Sequence, residues 1–183
     1  MSDIMNMQIS VESIWNEPGG CVHCDLLIDI PPFHLRGVLM KVMEGSTVAL
    51  DVCRTGEGWY LTGRGEAAVA GRCSRCLGAV QMTIPVDFSV EIRDETRGDR
   101  GEEPPSDEVI PRMTRDGRIE VGERVREEII LGIPLKILCD PDCRGLCPVC
   151  GVNLNETTCD CEPEPGDPRL AALQKLKEKM IEG

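Results

Sequence analysis

Six of the eleven cysteines of this chain lie within one hydrophilic segment, LCDPDCRGLCPVCGVNLNETTCDC. Two spacings in it suit a metal ion: the CPVCG turn, with Cys147 and Cys150, and the tight CDC pair, Cys159 and Cys161. Two cysteines three residues apart can point at one ion, and Gly151 relieves the steric strain of the turn that carries them. Thiols in a hydrophilic loop have little core to join, so the segment predicts a structural zinc site.

A tetrahedral zinc site needs four ligands, and the segment offers more thiols than one ion takes. Cys147 and Cys150 form the first pair. The sequence leaves the second pair open between Cys159 with Cys161 and Cys139 with Cys143. The alternatives to zinc are unmetallated, partly buried thiols and an iron–sulfur cluster.

A second cysteine motif, Cys73-Ser-Arg-Cys76, lies between two predicted strands. By spacing alone it suits a redox pair, half of a metal site or a tight turn. Thioredoxin-like catalysis requires a CxxC at a helix N-terminus within a βαβ pattern, and that pattern is missing here. Cys21 and Cys24 can complete a second four-thiolate site with this motif, whereas Cys53 is interpreted as a small buried hydrophobic residue.

The elements that position these cysteines are predicted from hydrophobic patterning. Residues 36–93 alternate apolar and polar side chains in short, Gly-broken runs, which favours an antiparallel sheet or small barrel. Residues 94–108 are a charged loop, and 119–131 have the apolar spacing of a helix packed on the sheet. Asp167 and Pro168 begin a last amphipathic helix.

These elements predict an α+β protein in three parts. Residues 1–35 are an N-terminal region with a CxxC pair. Residues 36–138 are a β-rich core with the central CxxC and a packed helix. Residues 139–183 are a zinc-supported, Cys-rich loop followed by the C-terminal helix.

Composition narrows the range of functions. The formal net charge is −12 and aromatic residues are only 3% of the chain, which argues against whole-surface binding to nucleic acid. The first residues do not resemble a signal peptide, and no apolar run approaches the ~20 residues of a membrane span. We therefore expect a cytoplasmic protein, where thiols stay reduced. No phosphate-binding, dinucleotide-binding, zinc-protease or serine-hydrolase motif occurs, so we expect neither an enzyme nor a small-molecule substrate.

Three blocks of the sequence together resemble the YceD family of large ribosomal RNA subunit accumulation proteins: GRCSRCL, GLCPVCGVNLNE and DPRLAAL. The resemblance covers about residues 36–181, and the family's CxRCL motif matches at Cys73, Arg75, Cys76 and Leu77. The Cys21 and Cys24 pair is not a family feature. The resemblance implies a non-enzymatic role in the accumulation or processing of large-subunit ribosomal RNA.

The direct partner is left open between ribosomal RNA and a large-subunit ribosomal protein or its precursor. Residues 36–76 carry six basic and four acidic side chains, so a basic face near Arg72 and Arg75 can contact RNA. The acidic stretch 94–128 suits a basic protein. Two other hypotheses remain: a zinc-supported protein–protein adaptor without RNA contact, and a thiol redox or metal-handling protein that uses Cys73 and Cys76.

Overall fold

The computed structural model describes residues 7–56, 58–94 and 109–162. The predicted C-terminal helix and nearly all of the charged loop 94–108 lie outside these ranges. The chain divides into two compact units. The first, the sheet unit, contains the strands and the helix. The second, the cysteine-rich unit, runs from Asp140 onward and includes Arg75–Leu77.

The described part of the sheet unit is mostly strand, with one α-helix and a short 3₁₀ helix at Glu12–Ile14. The helix, α1, spans Gly122–Gly132. The nine strands, in chain order, are β1 (Gln8–Ser10), β2 (Cys21–Leu27), β3 (Phe33–Leu35), β4 (Val38–Val42), β5 (Thr47–Arg54), β6 (Trp59–Arg72), β7 (Ala79–Asp94), β8 (Arg112–Met113) and β9 (Arg118–Glu120).

The long strand β6 is the centre of the sheet. One edge of β6 pairs along its whole length with β7, and the other edge is shared. The first half of that shared edge pairs with β5, which in turn pairs with β2, while the second half pairs with β4 and then β3. Beyond β7 follow β8, β9 and β1. The described pairings are antiparallel except for β7 with β8, which run parallel.

The core of this unit follows the alternation seen in the sequence. Along β7 every second side chain from Ile84 to Ile92 is buried, and the matching positions of β6 and β5 face the same core. Each aliphatic side chain withdrawn from water in this way contributes about 2 kcal/mol. The coarse prediction of a β-rich core with a packed helix is therefore confirmed.

The helix begins later than the apolar spacing predicted. Residues 119 and 120 of the predicted helix belong to β9, which pairs with both β1 and β8, and the helix begins only at Gly122. Val125 and Ile129 are fully buried, and α1 packs mainly on β7. Sheet pairing thus takes precedence over helical periodicity at the first turn.

Glycines allow the closest approaches in this unit. A Cβ at Gly132 would lie 2.4 Å from the Ile84 side chain, and one at Gly65 would lie 2.4 Å from the Thr47 carbonyl oxygen. Neither distance is sterically tolerable, so both positions require glycine for helix–sheet and strand–strand contact respectively.

Candidate metal centre

Four thiols of the cysteine-rich unit converge on one point. The sulfur atoms of Cys147, Cys150, Cys159 and Cys161 all lie within 4.8 Å of one another. In a tetrahedral zinc–thiolate site, Zn–S bonds of about 2.3 Å place the sulfurs roughly 3.8 Å apart. We call these four residues the C-terminal thiol group. Its spacing is therefore close to that of a four-thiolate metal site.

The CPVCG turn is built by a short antiparallel ladder. Leu146 and Asn153 form a β-bridge, and the Cys147 N–H donates to the Val152 carbonyl at 2.8 Å. The Gly151 N–H donates back to the Cys147 carbonyl at 2.9 Å, and Gly151 has a φ of +75°. A side chain at that φ would be strained, which is the physical reason that the turn ends in glycine.

Backbone N–H groups of the turn favour the thiolate form of Cys147. Hydrogen bonds from the backbone at Cys150 and Val149 lower the pKa of Cys147 to about 6. The thiolate is the metal-binding form of cysteine, so this turn is already prepared for a cation.

The pKa values of two neighbouring thiols are raised rather than lowered. A hydrogen bond with Cys150, followed by desolvation, raises the pKa of Cys161 to about 12. The pKa of Cys159 is also raised, and its hydrogen bond with Cys147 is the largest cause acting in that direction. Negative charges this close repel, so a divalent cation is required before all four thiols can be deprotonated together.

The other cysteines of the predicted sites lie on local turns. Cys73 and Cys76 flank a turn closed by the Cys73 N–H donating to the Gly78 carbonyl at 2.8 Å. Cys139 is exposed and is the last residue of the sheet unit. Within the cysteine-rich unit, the Cys143 sulfur accepts a hydrogen bond from the Asn155 amide at 3.3 Å.

The structure brings one of the candidate pairings together. Cys147 and Cys150 lie with Cys159 and Cys161, which is one of the two choices that the sequence left open. The proposed grouping of Cys21 and Cys24 with the central CxxC motif is not the one found, because Cys21 is bonded to another cysteine.

Cys21 instead forms a disulfide with Cys53, directly across the β2–β5 pairing, where their Cα atoms are 4.1 Å apart. The interpretation of Cys53 as a buried hydrophobic residue is therefore wrong. Cys24 alternates to the other face of β2, carries a free thiol and is partly buried against the core. Burial, followed by the charges of Asp25 and Asp51, raises its pKa.

The two arginines that the sequence suggested for RNA contact lie at the CxxC turn. Arg72 ends β6 and is exposed. Arg75 is exposed too, but its guanidinium donates to the Cys143 carbonyl at 2.8 Å. Arg75 therefore supports the backbone of the cysteine-rich unit.

A β-rich unit combined with a cysteine-rich unit whose thiols converge defines a class of small proteins with cysteine-supported segments. The chain belongs to the YceD family, described as large ribosomal RNA subunit accumulation protein YceD, whose model matches residues 61–177. The matched range contains the C-terminal thiol group and the central CxxC motif. The resemblance seen in the sequence is therefore confirmed.

Relatives in bacteria and plants share parts of this chain. An uncharacterized protein of Mycobacterium tuberculosis is 31% identical over 182 residues, covering 93% of this chain and 81% of that protein. The chloroplastic large ribosomal RNA subunit accumulation protein YCED homolog 1 of Arabidopsis thaliana is 37% identical over 62 residues, 34% of this chain and 19% of the plant protein. The uncharacterized protein YlbN of Bacillus subtilis is 30% identical over 105 residues, 57% of this chain and 58% of YlbN. No solved structure matches the chain.

Within the part of the chain that the structure describes, no helix is both long enough and apolar enough to cross a membrane.

Proposed function

We propose that this protein is a non-enzymatic cytoplasmic factor that promotes the accumulation or processing of large-subunit ribosomal RNA. It acts by binding ribosomal RNA or a large-subunit ribosomal protein. The observation that carries this proposal is the family match over residues 61–177. The Arabidopsis and Zea mays relatives that share segments with this chain bear the same functional name.

The C-terminal thiol group has a supporting role in this proposal. Among the described residues of the cysteine-rich unit, the buried apolar side chains are those of Cys76, Cys143 and Cys147. A segment this short without an aliphatic core is ordinarily stabilised by a metal or by disulfides. We therefore propose a structural zinc ion held by the C-terminal thiol group. A closed set of four thiolates leaves zinc no open position for catalysis.

The experiment that tests the function is depletion of the protein in its host. We expect large-subunit ribosomal RNA to fall relative to small-subunit ribosomal RNA, and the wild-type gene to restore the ratio. Cys147→Ser should restore it poorly, while Cys24→Ser, which removes a thiol outside the C-terminal thiol group, should restore it fully. An unchanged ratio in depleted cells would refute the proposal.

Two measurements separate this function from the alternatives. Partner capture with and without nuclease distinguishes an RNA-binding factor from a protein–protein adaptor, because only an RNA-dependent partner is lost on digestion. Labelling of native thiols tests the redox alternative. Cys73 and Cys76 are buried, which disfavours exchange with an external disulfide, so both should label slowly near neutral pH.

A further inference from the structure

A polar groove lies within the sheet unit. It is formed by β1, the chain around the 3₁₀ helix, and the turn between β8 and β9. Its volume of about 570 Å³ is within the usual range of small-ligand pockets. Its lining combines one tryptophan, two arginines, two carboxylates and two uncharged polar side chains: Trp15, Arg115, Arg118, Glu12, Asp116, Gln8 and Ser10.

The aromatic wall of the groove is held firmly in place. Trp15 is half-buried and contacts Trp59 with ring centroids 5.9 Å apart. Trp59 is buried, and the Arg54 guanidinium lies 5.3 Å from its ring centroid. On another side, the backbone of Gly117 approaches Trp15 so closely that a Cβ there would lie 3.4 Å from the indole. The indole that lines the groove is therefore a preorganised surface for stacking.

The charged side chains around the groove differ in their contacts. Arg118 pairs with Asp116 at 3.3 Å, and Asp116 also accepts a hydrogen bond from the Thr114 hydroxyl. Arg115 is exposed at the tip of the same turn. Glu12, Ser10 and Gln8 add a carboxylate, a hydroxyl and an amide to the lining. The Gln8 amide also donates to Glu120 at 3.5 Å. This combination suits a ligand with one phosphate and a polar, planar ring.

We infer that the groove binds one unstacked nucleotide of single-stranded RNA. The base stacks on Trp15, its polar edge meets the side chains of Gln8, Ser10 and Glu12, and Arg115 contacts a neighbouring phosphate. A local site of this kind agrees with a chain of net charge −12, which cannot attract RNA over its whole surface. The inference rests on the proposed function, since it names the partner class of that function.

The test uses the two tryptophans as reporters. The full chain is titrated with a single-stranded RNA of about ten nucleotides, a length that a small binding domain covers. Stacking should quench the fluorescence of Trp15, while the buried Trp59 should respond little. A duplex of the same sequence should bind more weakly, because its bases are already stacked.

Matched variants locate the site. Trp15→Ala should weaken binding about ten-fold, the usual cost of one lost stacking contact. Trp15→Phe keeps an aromatic ring and should retain most of the affinity. Arg115→Ala should weaken binding a few-fold and reduce the slope of log affinity against log salt by about 0.7, as expected for one lost phosphate contact. Arg64→Ala removes another exposed arginine outside the groove and should change neither quantity.

Three results would overturn the inference. One is single-stranded RNA binding in which Trp15→Ala and Arg115→Ala behave like Arg64→Ala. Another is no binding of single-stranded RNA, or crosslinking of this turn to a ribosomal protein instead. The last is binding of adenosine monophosphate as tightly as the oligonucleotide, which would assign the groove to free nucleotides. The proposed function is judged separately, because the ribosomal RNA ratio in depleted cells does not depend on where the protein binds.

Discussion

The two units of this protein are stabilised by different physical means. In the sheet unit, aliphatic side chains from β5, β6, β7 and α1 are withdrawn from water into one continuous cluster. In the described part of the cysteine-rich unit, sulfur atoms and short polar turns replace that cluster. The hydrophobic effect is therefore sufficient for the first unit, whereas the second depends on groups that a cation can bind.

Metal removal should have the largest effect, and it should act on the cysteine-rich unit alone. Treatment with a strong chelator, or Cys147→Ser, should open the chain after Leu138 to protease and leave the sheet unit resistant. Structural zinc contributes on the order of 10 kcal/mol to the folding of such segments. Limited proteolysis with elemental analysis measures both effects.

The control for this prediction is Cys24→Ser, which should keep the full metal content. Equal protease resistance of the second unit with and without chelator would contradict the prediction.

Reduction of the Cys21–Cys53 disulfide should weaken only the sheet unit. The two cysteines are 32 residues apart in sequence, and closing a loop of that length stabilises a fold by about 4 kcal/mol in the chain-entropy model. Cys53→Ser should lower the free energy of unfolding by a similar amount relative to the oxidised protein. Denaturant titration under oxidising and reducing conditions measures this loss. The free energy of unfolding of the variant should not change when the reductant is added.

Gly65→Ala tests how tightly the sheet unit is packed. The new methyl group would meet the Thr47 carbonyl oxygen and the Val48 backbone, which cannot move without distorting β5. We expect a loss of about 2 kcal/mol, typical of overpacking. Gly56→Ala is the matched control, since nothing lies within 4 Å of its Cβ position. Equal stability of the two variants would show that the close approach of β5 and β6 is not required.

The smallest expected effect is on the pH dependence of stability, and it comes from His23 on the exposed face of β2. A hydrogen bond with Asp51 at 2.8 Å, helped by the charges of Asp51 and Asp25, raises the pKa of His23 above 6.5. Because the folded pKa is raised, the stabilisation is complete below the unfolded pKa of 6.5 and is lost as pH rises through the folded pKa. Proton NMR titration should show the raised pKa falling in Asp51→Asn, and no fall would exclude this hydrogen bond as its cause.

Local patterning was enough to predict much of the sheet unit. Alternation predicted strands over residues 36–93, the region that contains β4 to β6 and nearly all of β7, because one face of each strand must be apolar to be buried. The CPVCG turn and its Gly151 could also be predicted, since the required geometry is local. The start of α1 could not, because β9 gains more from pairing with β1 and β8 than from a further helical turn.

The sequence by itself determined the family, the β-rich class and the presence of thiols suited to a metal. All three conclusions follow from residue types and from short spacings along the chain. Only the tertiary structure decided which cysteines meet, that Cys21 bonds Cys53, and that Trp15 and Arg115 line one groove. These contacts join positions distant in sequence. They depend on strand register and on the branching of the sheet at β6, which no local pattern encodes.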